Sequence, residues 1–377
     1  MTSVFFLYRD SPERRRALAA APGSPERYTL AGLDELRARG VDASHNLERA
    51  RPPAWARVVG GILKWVLERA GGYGGDFATV LASLGRANGA DVVFSTVDTV
   101  GIPALLLRRA GRLRPPLVYV AIGLPERLER LRSERMRRVY ASALARCEAV
   151  IAYSEHEAQV LREWVAQHGA RARVDFVPFG VDTEIFQPAA EEPRDDVVSI
   201  GADPHRDFAL LVRAARRMPE TSFRIVTTPE HARELPPLPA NVAIETDLRF
   251  EEMRSRLAAA RIVALPVREN SYSGATTVLL QALAMAKPVV VTRTQAIASG
   301  YGLVDGENCR LVAPGDGDAF GRALVDLLDD DERARSLGAA ARATVERELS
   351  RERWLDRIEA LLLAAAAARA GGRSPHG

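Results

Sequence analysis

The sequence predicts an α/β protein built from two doubly wound parallel sheets. Three observations carry that expectation. Short β-branched runs of four to six residues alternate with segments of helical spacing. The runs lack strict apolar–polar alternation, as strands covered on both faces do. Six of them precede residue 180 and six follow it, in a chain of 377 residues. One core rarely serves more than about 250–300 residues.

In the first half the runs are Val4–Tyr8, Val41–Ser44, Val92–Ser95, Leu117–Ala121, Val150–Tyr153 and Val174–Val177. In the second they are Val197–Ile200, Phe223–Thr227, Val242–Glu245, Ile262–Pro266, Val289–Thr292 and Arg310–Val312. The clearest helix places Trp55, Val58, Val59, Ile62, Leu63, Val66, Leu67 and Ala70 on one face. That face is expected to pack on the first domain. A bilayer contact through Trp55 and Trp65, beside Arg57 and Lys64, is the other reading. Gly71–Phe77 reads as a flexible loop, and Pro125–Glu148, with seven arginines, as a solvated helix. Pro178, Gly180 and Pro188 punctuate a segment that is neither helix nor strand. The expected division is therefore a first domain over 1–180, a second over 181–350, a helix over 351–370 able to cross back to the first domain, and a disordered tail over 371–377.

Composition narrows the class. Hydrophobic residues at 47% and charged residues at 27% belong to a globular chain. No apolar run reaches the roughly 18–20 residues of a membrane helix. Val4–Tyr8 is too short for a signal peptide. Two cysteines, Cys147 and Cys309, cannot build a disulfide framework. Six scattered histidines without paired spacing predict no metal site. A cytoplasmic protein is the expectation. The first 180 residues hold 27 basic and 19 acidic residues, net +8, and the remainder is net −5. The basic half is the one suited to an anionic partner.

In doubly wound domains ligands sit at the carboxyl ends of the strands. After Pro266 comes Arg268-Glu-Asn-Ser-Tyr-Ser-Gly-Ala-Thr-Thr277, leading into a helix expected over about Ala275–Ala286. Ser273 suits its N-cap, Gly274 allows close backbone approach, and Thr276 and Thr277 add hydroxyls. Its free amides and dipole favour phosphate. Gln281 follows about two turns in. After Ile200 the loop Gly201-Ala-Asp-Pro-His-Arg-Asp207 places His205 and Arg206 at its tip, where a guanidinium can grip phosphate. Thr227 follows the next strand. In the first half, Asp98, Thr99 and Gly123 stand after strands. No P-loop or Gly-x-Ser-x-Gly elbow occurs.

At this point the chain resembles a known group. Phe176-Val-Pro-Phe-Gly-Val-Asp-Thr-Glu-Ile-Phe-Gln-Pro188 is similar to the segment opening the second domain of GT-B glycosyltransferases, in particular the retaining family 4 enzymes. Ala149–Ser154, Gln281-Ala-Leu-Ala-Met-Ala-Lys-Pro-Val-Val290 and Asp305–Asp316 resemble further motifs of that family, in family order. The resemblance implies two Rossmann-like domains facing a central cleft, the second holding a UDP- or GDP-sugar donor and the first an acceptor. It implies no required cofactor.

With that function in view, the residues after the strands expected to meet the donor pyrophosphate and nucleotide are Gly201, Arg206, Thr227, Ser273, Gly274, Ala275, Thr276, Thr277 and Gln281. Glu269, Asn270 and Tyr272 are the expected donor-sugar contacts, Glu269 or Asn270 standing in for a missing family carboxylate, and Arg206 and Glu269 are the expected catalytic residues. Asp98, Thr99 and Gly123 would stand on the acceptor side. The family's paired glutamates fall on Ser273 and Gln281, so both carboxylates are missing, and the usual arginine after Ile200 falls on Ala202. The expectation is a glycosyltransferase acting with retention on a glycan, lipid-linked or natural-product acceptor. The open alternatives are a non-catalytic nucleotide-sugar-binding protein and another GT-B enzyme such as a sugar-nucleotide epimerase. A peripheral membrane contact through the basic domain is an option; nucleic acid is not expected.

Overall fold

The computed structural model describes residues 1–48, 51–188, 194–270 and 274–371. Twelve strands form two parallel sheets of six. The first sheet holds β1 (Ser3–Leu7), β2 (Asp42–His45), β3 (Val92–Ser95), β4 (Leu117–Ala121), β5 (Ala149–Ala152) and β6 (Val174–Phe176) in the order β2-β1-β3-β4-β5-β6. The second holds β7 (Asp195–Ile200), β8 (Phe223–Thr227), β9 (Val242–Thr246), β10 (Ala260–Leu265), β11 (Val289–Thr292) and β12 (Arg310–Val312) in the order β12-β11-β10-β7-β8-β9. Each of the twelve runs read from the sequence forms a strand, five with the same bounds and seven differing by a residue or two at an end. The central strands are buried on both faces, as their continuous Val, Ile and Leu content requires.

The chain forms two compact units, 1–177 with 355–377, and 178–354. In the first, Phe5, Leu7, Val93, Tyr119 and Val150 are fully buried in one core. In the second, Val197, Ile225, Ile262, Ala264 and Val290 are. Fully burying such a side chain contributes about 1.5–3 kcal/mol. The terminal helix Arg351–Gly371 starts in the second unit and continues in the first. Trp354 is 2% exposed there, its ring 6.2 Å from that of Phe179. Beyond it, Asp356 and Glu359 accept from Arg39 at 2.7 and 2.8 Å.

Each sheet reverses its winding once. The chain runs outward from β7 to β8 and β9, then returns to place β10 on the other side of β7. The loops leaving the carboxyl ends of β7 and β10 stand side by side at that switch point, where open α/β sheets bind ligands.

Two elements differ from the sequence expectation. The Arg-rich stretch is two helices, Leu124–Glu129 and Glu134–Leu144. Ser133 starts the second by accepting from the Met136 amide at 3.2 Å. The helix Ala54–Arg69 turns a different face inward from the one expected. Ala56 and Gly60 are buried, with Leu63 and Leu67 half-buried beside them, whereas Trp55, Val58, Val59, Ile62 and Val66 are exposed. Small residues decide the contact. At Gly60 the backbone lies so near the helix Phe77–Ala87 that a Cβ would stand 2.6 Å from the Ala78 nitrogen.

Candidate active site

In the second unit the loops after β7 and β10 are stitched together. The Asp207 amide donates to the Pro266 carbonyl at 2.9 Å and the Arg268 amide to the His205 carbonyl at 2.8 Å. Arg206 and Val267 form an antiparallel bridge between them. Two helices begin here. Asp207 caps Phe208–Arg217 through the Leu210 amide at 3.0 Å. Thr276–Ala284 starts after Ala275, whose methyl group cannot cap it, so among the described residues no N-cap side chain takes up its first amides.

Arg206 does not sit at the loop tip. It folds inward and is 5% exposed, because Gly201 leaves room for its stem: a Cβ there would lie 2.7 Å from Arg206 Nε. Nη2 donates to Ser199 Oγ at 3.0 Å, and Ser199 Oγ donates to the Ala264 carbonyl at 2.6 Å. Among the described residues Nε and Nη1 have no partner. Burial pulls the guanidinium down to about 10, with Asp203 opposing. The site thus contains a buried cation with unspent donors, an arrangement that a bound anion would satisfy.

The other expected donor-side residues divide in place. Thr276 is buried and its Oγ1 has no partner among the described residues, whereas Thr277 is exposed. Gln281 is 3% exposed with Oε1 unpartnered among the described residues. Gly274 stands against the Asp203 carboxylate, 2.7 Å from where a Cβ would be. Thr227 Oγ1 donates to the Gly201 carbonyl at 2.8 Å, fixing the turn out of β7. Glu269 is exposed; its Oε1 accepts from the amides of Gln295 at 3.0 Å and Asn270 at 3.2 Å. Asn270 is buried and donates to the Arg268 carbonyl. Tyr272 and Ser273 lie outside the described residues.

In the first unit Asp98 is fully buried at the start of helix Asp98–Arg109. It accepts from the Tyr119 hydroxyl, from the Ile122 amide at 3.0 Å and from Arg127 Nε at 2.9 Å. Gly123, at φ 72°, continues that loop and donates its amide to Glu157 Oε1 at 3.1 Å. Two buried carboxylates therefore hold the loop after β4. Burial pushes both up, Glu157 well above the usual carboxylate range, and Glu157 Oε2 has no partner among the described residues. Thr99 is half-buried and faces a cleft of about 440 Å³ lined also by Arg57, Lys64, Tyr73 and Asp76. The sequence reading named Asp98, Thr99 and Gly123 but missed Glu157 and Arg127. Ser154 and Glu157 have capping-box spacing, a readable signal, yet the Glu157 carboxylate reaches Gly123 instead of its own cap.

Two doubly wound parallel domains in tandem, the second with an anion-ready switch point, define the GT-B architecture. Comparison with known proteins agrees. Residues 25–185 match the model described as Glycosyltransferase Family 4, and residues 194–330 the one described as Glycosyl transferases group 1. The chain belongs to the GT-B glycosyltransferases.

Among curated relatives, an MMP alpha-(1->4)-mannosyltransferase of Mycolicibacterium hassiacum is 32% identical over 43% of this chain and 41% of its own length. A GDP-mannose-dependent monoacylated alpha-(1-6)-phosphatidylinositol monomannoside mannosyltransferase of Corynebacterium glutamicum is 27% identical over 54% of this chain and 59% of its own. The chain spans about half the length of the curated relatives it matches. Among solved structures, sucrose-phosphate synthase from Thermosynechococcus elongatus superposes with TM-score 0.71 at 17% identity, over 98% of this chain and 100% of that one. Anabaena HepE in complex with UDP and glucose does so with TM-score 0.66 at 17% identity, over 97% and 100%. These structures share the fold.

Proposed function

We propose that the chain transfers a hexosyl group, with retention at the anomeric carbon, from a nucleoside-diphosphate sugar to a hydroxyl-bearing acceptor. The observation that carries this reading is Arg206, buried at the switch point of the second sheet with two donor nitrogens that have no partner among the described residues. Arg206 and the amides from Gly274 to Thr277 take up the pyrophosphate. They stabilise the charge that gathers on the leaving phosphate as its bond to the sugar breaks, and they do so as donors already in place. This requires no metal. The acceptor hydroxyl bonds to the anomeric carbon, and its proton passes to the departing phosphate oxygen.

Gln281 supplies an acceptor for a ribose hydroxyl where the family resemblance would place a carboxylate. Glu269 and Asn270 stand on the sugar side, and Asp98, Thr99 and Gly123 on the acceptor side. The name of the Corynebacterium glutamicum relative makes GDP-mannose the first donor to try, and the HepE complex with UDP and glucose makes UDP-glucose the second. We place the reaction in the cytoplasm, where such donors are made.

A second reading, nucleotide-sugar binding without turnover, is favoured by the missing paired glutamates. Incubation with GDP-mannose and with UDP-glucose separates the two. Release of nucleoside diphosphate, lost in Arg206→Ala, supports transfer. Thermal stabilisation by either donor without release means a binder.

A further inference from the structure

The helix Ala54–Arg69 carries an apolar ridge that nothing in its own unit covers. Trp55, Val58, Val59, Ile62, Trp65 and Val66 are 41–62% exposed, and they make up half of the large hydrophobic side chains exposed among the described residues. At 3.6 residues per turn they span an arc of about 120°. The ridge is not a core face awaiting closure. The helix is already seated through Ala56 and Gly60 on a neighbouring helix, with the ridge turned away from that contact.

We infer that this ridge docks the first unit on the surface of an anionic lipid bilayer. Three features select that occupant. A tryptophan lies near each end of the ridge, and indole rings with one polar edge favour the water–lipid boundary. A cation accompanies them: Arg69 lies over the Trp65 ring at 5.5 Å on the ridge face, while the exposed Arg57 and Lys64 stand farther round the helix, Lys64 3.9 Å from Glu68. The first 180 residues are net +8, which draws this unit toward a negative surface. Among the described residues no helix is long and apolar enough to cross a membrane, so the helix lies on the bilayer. A second copy fits less well, since a two-fold contact would bring together two units that each carry this net positive charge.

The test needs no sugar donor, so its outcome stands apart from that of the transfer reading. Full-length protein is sedimented with vesicles of phosphatidylcholine containing about a third phosphatidylglycerol, and with vesicles of phosphatidylcholine alone. Most of the protein should pellet with the first and at least tenfold less with the second. Trp65→Glu and Ile62→Glu, both at exposed positions, should each reduce pelleting tenfold at unchanged melting temperature. Protein remaining in the supernatant with anionic vesicles overturns the inference. So does pelleting that neither variant reduces. A dimer in light scattering that Trp65→Glu dissociates, with no vesicle uptake, assigns the ridge to a second copy and overturns it as well.

Discussion

Ser199 holds Arg206 by a single hydrogen bond, Nη2 to Oγ at 3.0 Å, and its own hydroxyl donates to the Ala264 carbonyl on the neighbouring strand. The guanidinium is thereby fixed in orientation, and among the described residues its other two nitrogens have no partner. A buried charge in that state lowers stability and raises affinity for an anion. Arg206→Met should therefore move the two properties in opposite directions. The free variant should melt at or above the parent temperature. Its kcat/KM with a nucleotide-sugar donor should drop by one to two orders of magnitude, as a charged hydrogen bond of about 1.5–3 kcal/mol implies. Calorimetric melting beside steady-state kinetics measures both. A variant that is destabilised yet fully active makes Arg206 a structural strut.

Thr276 tests the same logic without a charge. Its hydroxyl is buried and unpartnered among the described residues at the first turn of its helix. Valine has the same shape and removes only the polar atom. Leaving a hydroxyl unsatisfied costs about 1–3 kcal/mol, so Thr276→Val should melt several degrees higher. The additional rise in melting temperature on adding GDP or UDP should shrink. Thr277→Val, at an exposed position, should change neither. Thermal-shift curves with and without nucleotide separate the pair.

Much of this was legible in the sequence, and the exceptions have physical causes. Twelve β-branched runs became twelve strands because a strand buried on both faces leaves a continuous apolar signature. The loops after β7 and β10 were readable because ligand sites follow strand ends. Arg206 was misplaced at its loop tip because turn chemistry fixes where a chain reverses, and the space beside Gly201 then decides which side chain folds in. The ridge on Ala54–Arg69 was assigned to the wrong surface for a related reason. Periodicity reports which residues share a face, and Ala56 and Gly60 determine which face comes close to its neighbour. Glu157 was passed over because a glutamate in a helical first turn is ordinarily solvated. The Gly123 amide that draws it inward lies 34 positions earlier in the chain.

The buried carboxyls Asp98 and Glu157 make the first unit's stability depend on pH. Both are raised above their ordinary values, Glu157 the further, chiefly by burial. The folded state then binds more protons than the unfolded chain between the ordinary carboxylate value and the folded one. Across that window stability falls as pH rises. Glu157→Gln keeps an acceptor for the Gly123 amide and removes the ionisation. Its melting temperature should exceed the parent's at pH 8, and the difference should narrow as the pH is lowered to 5. A difference independent of pH would mean that Glu157 is not titrating.

Glu269 offers the sharpest separation of binding from chemistry. Its Oε1 accepts two backbone amides, from Asn270 and Gln295, so the side chain is oriented although exposed. Glutamine at this position keeps an oxygen for those amides and removes the negative charge. If that charge stabilises the positive character that develops on the donor sugar as its bond to phosphate breaks, Glu269→Gln should lower kcat at least tenfold, about 1.4 kcal/mol. The affinity for the nucleoside diphosphate alone should stay within a factor of two, because the pyrophosphate contacts belong to other residues. Turnover at saturating donor, beside calorimetric titration with GDP and UDP, reads the two quantities independently. Equal loss in both would return Glu269 to the role of a loop clasp on Gln295. The carboxylate acting on the sugar would then have to be sought elsewhere on the chain.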